Sequence, residues 1–83
     1  MNESHEIIGQ IASEKHAEGI KLTYSELREL LEEDYGIKYG SNRGLAKEIS
    51  AAYDWWEENY PDQGIHHIIA ETFTDKDGNY PYM

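Results

Sequence analysis

The sequence predicts an α+β fold: three helices with a short strand, closed by a C-terminal β-hairpin. Three observations carry that reading. Residues 42–60, NRGLAKEISAAYDWWEENY, set Leu45, Ile49, Ala52, Tyr53, Trp56 and Tyr60 at steps of four, three, one, three and four. That spacing is the apolar stripe of one buried helical face, and it marks the central helix. Thr23-Tyr24-Ser25-Glu26 spells a capping box, in which the threonine hydroxyl and the glutamate carboxylate each accept from the other's backbone N–H. Residues 65–74, IHHIIAETFT, are rich in β-branched side chains and run into DKDGN at 75–79, where Gly78 can take positive φ in a hairpin loop.

The remaining elements follow in order. Residues 2–18 read as a first helix with Ile7, Ile8, Ile11 and Ala12 on one face and Glu3, Glu6, Glu14 and Glu18 outside it. Asn2 or Ser4 is placed to cap its start, and Gly19 suits its C′ position. Ile20-Lys21-Leu22 alternates and suits a short bridging strand. After the capping box, Tyr24, Leu27, Leu30 and Leu31 turn inward along a second helix, while Glu29, Glu32, Glu33 and Asp34 stay outward or terminal. Carboxylates at the C-terminal end oppose the helix dipole, so local stability does not explain the cluster Glu32, Glu33 and Asp34. Gly36 closes this helix and Ile37 supplies the apolar contact that follows a glycine cap. Residues 38–41 are a loop, Ser41 or Asn42 caps the central helix, Pro61 ends it, and 62–64 turn the chain. In the expected strand, His67, Ile69, Glu71 and Phe73 face one side and His66, Ile68, Ala70 and Thr72 the other. Residues 80–83 are the return strand, at an edge because of Pro81. Three helices followed by a hairpin is the order of a winged helix, with helices two and three as the helix-turn-helix and the hairpin as the wing.

The totals bound the function. The 83 residues make one domain, 1–83, near the lower limit for a chain that folds alone, and ten aromatic side chains are its means of efficient burial. The absence of cysteine removes disulfides, thiolate catalysis and cysteine zinc sites. With no basic-then-apolar start and no long apolar run, a cytoplasmic protein without a membrane span is expected. Seventeen acids against seven bases give a net charge of −10, a field that repels phosphate and attracts basic surfaces.

The pattern Thr23-Tyr24-x-Glu26-Leu27, then Arg43-Gly44-Leu45-Ala46, then Ile68-Ile69-Ala70, then Asp77-Gly78 and Pro81, resembles small winged-helix-like proteins of prokaryotic and phage genomes. The resemblance covers roughly 21–83 and implies a fold more than a function. At the level of class, the chain is also similar to small acidic phage proteins that disable host nucleic-acid enzymes, anti-CRISPR inhibitors and DNA mimics among them. That likeness implies an inhibitor without catalytic motifs.

Two surfaces follow. The leading one is acidic: Glu26, Glu29, Glu32, Glu33 and Asp34 along helix two and Asp54, Glu57 and Glu58 late in helix three. Rows of carboxylates imitate duplex phosphates or dock on an arginine-rich groove of a protein partner. Trp55 lies about 100° from the inward Trp56 and serves either as packing under the wing or as an exposed anchor. Tyr35, Tyr39, Tyr80 and Tyr82 are further aromatic contacts. The alternative surface is basic and would make the chain a DNA-binding transcriptional regulator: Arg43, Lys47 and Ser50 at the start of the recognition helix, with Lys38 just before it and Lys76 at the wing tip. The plain reading there is that Lys47 and Arg43 pair with nearby acids. A third reading is a dimerising structural protein that pairs through the edge strand 80–83.

No enzyme, cofactor or metal is expected. His66 and His67 would point to opposite faces of a strand, and His5 and His16 lie too far apart on a helix to chelate together. The sequence has no nucleophile elbow, P-loop or HExxH. Asp75-Lys76-Asp77-Gly78-Asn79 lacks the length and terminal glutamate of a calcium loop.

Overall fold

The computed structural model describes residues 3–74. Four helices dominate it: α1 (Glu3–Ala17), α2 (Tyr24–Tyr35), α3 (Asn42–Asn59) and α4 (Ile65–Thr72). A 3₁₀ turn, Pro61–Gln63, links α3 to α4. The only pairing of extended chain among the described residues is a two-residue parallel ladder between β1 (Leu22–Thr23) and β2 (Phe73–Thr74), in which Leu22 aligns with Phe73 and Thr23 with Thr74.

The α+β winged-helix fold is therefore overturned, and the class is closer to all-α. The run expected to be the first arm of the hairpin is a helix. The reason lies in the same residues. Ile65, Ile68, Ile69, Thr72 and Phe73 sit at i, i+3, i+4, i+7 and i+8, which is helical spacing. β-Branched residues favour strands mainly through packing on a pleated surface, and no such surface is offered here. Gly64, in the left-handed region at φ 68°, turns the chain out of the 3₁₀ segment, and α4 then buries His66, Ile69 and Thr72. The turn at Gly78, the return strand 80–83 and Pro81 lie outside the described residues.

The core forms where α1, α3 and α4 pack on one another. Ile8, Ile11 and Ala12 meet Leu45, Ile49, Ala52 and Trp56, with Ile69 and Phe73 from the C-terminal side. Leu22, Tyr24, Leu27 and Leu31 extend the cluster to β1 and α2. At Gly9, α1 lies tight against the Trp56 side chain of α3. A Cβ there would fall on the Trp56 indole, 2.6 Å from Cζ2 and nearer still to Nε1 and Cε2. The indole Nε1 donates to the His5 carbonyl at 2.8 Å, so the polar edge of a large buried ring is satisfied. The stripe of α3 is borne out at Leu45, Ile49, Ala52 and Trp56, while Tyr53 is half-buried. Tyr60 departs from it: the helix ends at Asn59, Tyr60 takes φ −139° and ψ 57°, and its side chain is exposed. No helix among the described residues is long and apolar enough to cross a membrane.

Candidate functional site

Helix α2 presents the acidic surface, and its ends are fixed locally. The Thr23 backbone N–H donates to Glu26 Oε1 at 2.9 Å, and the Glu26 N–H donates to Thr23 Oγ1 at 3.2 Å. The Thr23 hydroxyl also donates to Glu26 Oε1 at 3.0 Å, and the two bonds that the carboxylate accepts, the backbone one first, hold it below its ordinary range. Glu26 is thus spent on the cap. At the other end Gly36, at φ 68°, donates to the Glu32 carbonyl at 3.2 Å, and Ile37 donates to the Leu31 carbonyl at 3.0 Å.

Between those caps, Glu29, Glu33 and Asp34 are exposed and have no ion-pair partner among the described residues. Glu32 is also exposed but lies 3.9 Å from Lys38 Nζ. Arg28 ties the helix to the start of α3: Nη1 donates to Asn42 Oδ1 at 2.9 Å and Nη2 to the Tyr39 carbonyl at 3.1 Å. Asn42 Nδ2 in turn donates to Ser25 Oγ at 3.3 Å.

On α3, Arg43, Lys47, Ser50, Asp54, Glu57 and Glu58 follow helical steps along one exposed stripe, basic at its start and acidic at its end. The expected pairing of Arg43 and Lys47 with nearby acids is not found among the described residues. Ser41, not Asn42, caps the helix, its Oγ accepting from the Gly44 N–H at 3.1 Å. Lys38 is drawn to Glu32 rather than into the basic stripe, and Lys76 lies outside the described residues. Glu57 Oε2 stands 3.9 Å from His66 Nε2.

The aromatic anchors are redistributed. Trp55 is half-buried and packs edge-on against Trp56 and Tyr60, at ring separations of 5.0 and 5.7 Å. The wing it was expected to underlie begins as a helix instead. Tyr39 is half-buried as well; Tyr35 is the exposed aromatic of the α2 side, at 46%. His66 and His67 do not point apart as strand residues would. Their rings lie 4.0 Å apart on α4, His66 buried and His67 exposed. Among the described residues no group of three or more His, Cys, Asp or Glu side chains is arranged to hold a metal ion.

One feature escaped the sequence reading. A groove of about 620 Å³ opens between α1, α3 and the α2–α3 connection. Glu3, Ser4 and Ile7 line it from α1, Tyr35, Ile37 and Tyr39 from the end of α2 and the connection, and Glu48 from α3. Ser4 lies inside α1 rather than capping it; its hydroxyl donates to Glu48 Oε1 at 2.6 Å, and His5 Nε2 lies 3.0 Å from the same oxygen. Glu48 Oε2 has no partner among the described residues. Burial first, and the Glu48 charge second, push the Tyr39 phenol above its ordinary range. The alternation of Tyr35, Ile37 and Tyr39 was a visible signal, but nothing in it says that α1 forms the opposite wall.

No protein-family model, no curated protein and no solved structure matches this chain.

Proposed function

We propose that this chain is a non-enzymatic acidic protein-binding module, of the type that phages and mobile elements use to inhibit a nucleic-acid-handling protein. The observation that carries this reading is the row Glu29, Glu33 and Asp34. These side chains are exposed and lack ion-pair partners among the described residues. Glu33 and Asp34 sit in the last turn of α2, where carboxylates disfavour the helix, so folding does not account for them, and Glu29 stands one turn earlier at mid-helix. The adjoining exposed Tyr35 adds the aromatic contact that interfaces favour. A partner with a basic surface, such as a nucleic-acid enzyme, meets this row by charge complementarity.

The test is the double reversal Glu29→Lys with Glu33→Lys. Tagged wild-type protein should capture a basic partner from host lysate with and without nuclease treatment, and the variant should lose it. Capture that survives the reversal sinks the reading.

A second reading rests on Arg43 and Lys47, exposed and unpaired among the described residues on one stripe with Ser50. It makes the chain a DNA-binding regulator that uses the start of α3. Two bases against a net charge of −10 make it the weaker of the two. Under it, the same reversal strengthens retention on duplex DNA at low salt, and Lys47→Glu abolishes it.

A further inference from the structure

We propose that the groove between α1, α3 and the α2–α3 connection receives an arginine side chain carried on an apolar segment of the protein partner. This rests on the protein-binding reading above and gives it a specific recognition element. The volume of about 620 Å³ lies within the range of clefts that bury a small ligand, roughly 300–1,000 Å³. Its floor and walls suit an aliphatic stem with apolar neighbours: Ile7, Ile37 and Tyr39 pack on the core, and Tyr35 stands exposed at the edge.

Its polar groups select the charge. Glu48 and Glu3 both line the groove, so an anionic ligand is repelled. A purely apolar ligand would strip water from a groove lined by the Glu48 and Glu3 carboxylates and leave their charge uncompensated, which is costly. A cation compensates it. The Glu48 carboxylate is also held in place beforehand, because Ser4 and His5 both engage Oε1 and leave Oε2 free among the described residues. Arginine fits better than lysine. Its planar guanidinium stacks on aromatic rings, bonds carboxylates through more than one N–H and is more weakly hydrated than an ammonium. The net charge of −10 adds steering toward a basic partner.

The test is an NMR titration of the whole chain with three blocked tripeptides, Leu-Arg-Leu, Leu-citrulline-Leu and Leu-Glu-Leu. Citrulline keeps the shape of arginine and removes its charge. The arginine peptide should move the signals of Ile7, Ile37, Tyr35 and Tyr39. The citrulline peptide should bind at least tenfold more weakly, and the glutamate peptide not at all. Tyr35→Ala and Glu48→Gln should each weaken the arginine peptide about tenfold. Tyr35 is the exposed last residue of α2, so its loss leaves the fold intact even if Glu48→Gln loosens the contact between α1 and α3.

Equal binding of arginine and citrulline overturns the proposal. So do shifts centred on Glu29 and Glu33 with a silent groove, no shifts at millimolar peptide, or groove signals that move with protein concentration alone, which would make a second copy the occupant. The two proposals fail separately. If the α2 reversal abolishes partner capture and Tyr35→Ala does not, the acidic surface stands and the groove is wrong. If the peptide binds in the groove and the reversal leaves capture intact, the groove stands and the acidic row is wrong.

Discussion

The two sides of this molecule are held by different physics. On one side α1, α3 and α4 pack face to face, and Ile8, Leu45, Ile49, Ala52 and Ile69 are wholly withdrawn from solvent. On the other, α2 packs less extensively on the bundle: Tyr24, Leu27 and Leu31 reach the shared core, and the connection to α3 is fixed by a capping box, a glycine cap and the Arg28 clamp. Apolar burial is non-directional and cooperative, so the first side should open only when the whole chain unfolds. Caps and clamps are local, so the second side should open first. The acidic row and both aromatic residues that line the groove, Tyr35 and Tyr39, belong to that second side. A partner that binds there meets the part of the protein whose geometry is easiest to adjust.

The largest expected effect tests the first half of this contrast. Trp56→Ala removes the indole that fills the space above Gly9 and should cost about 4 kcal/mol, felt across the molecule. Chemical denaturation should show one shifted transition by every probe; a loss confined to α2 would break the comparison. Next, Arg28→Met keeps an apolar stem but removes the bonds to Asn42 and the Tyr39 carbonyl, at about 2 kcal/mol. Hydrogen exchange should quicken in α2 and residues 36–41 and hardly at all in the centre of α3. Uniform acceleration would mean that the clamp belongs to the global core.

Smaller effects sharpen the picture. Thr23→Ala deletes the hydroxyl that accepts the Glu26 N–H and should cost about 1 kcal/mol in thermal unfolding. The least is the pH dependence of the cap. The Glu26 carboxyl is lowered from its ordinary value of 4.5, so its contribution is fully present above that pH and is lost as pH falls through the lowered value. The stability gap between wild type and Glu26→Gln should therefore narrow on acidification below 4.5 and stay constant above it. A gap that widens in acid would reverse the sign of the argument for this cap.

How much of this was legible beforehand depended on whether the signal was local. The Thr23 box, the Gly36 cap and the inward row of α3 each rest on residues within one or two turns of each other, where spacing and side-chain chemistry decide the outcome. The acidic row of α2 was likewise visible as a row. The 65–74 run carries two local signals at once, β-branched composition and helical spacing, and the two point to different structures. Burial of His66, Ile69 and Thr72 against the other helices favours the spacing. Tyr60 fits the stripe by its number, but Pro61 ends the helix one residue too early for it to turn inward.

The amino-acid order by itself determined the acidic character of the surface, the start of α2 and the buried face of the central helix, because charge, caps and periodicity are properties of neighbouring residues. Only the tertiary structure decided that 65–72 is a helix, that Gly9 admits Trp56, and that Ile7, Tyr39 and Glu48 share a groove. Those outcomes depend on contacts between residues tens of positions apart, and on which surfaces remain to be buried once the other helices have packed.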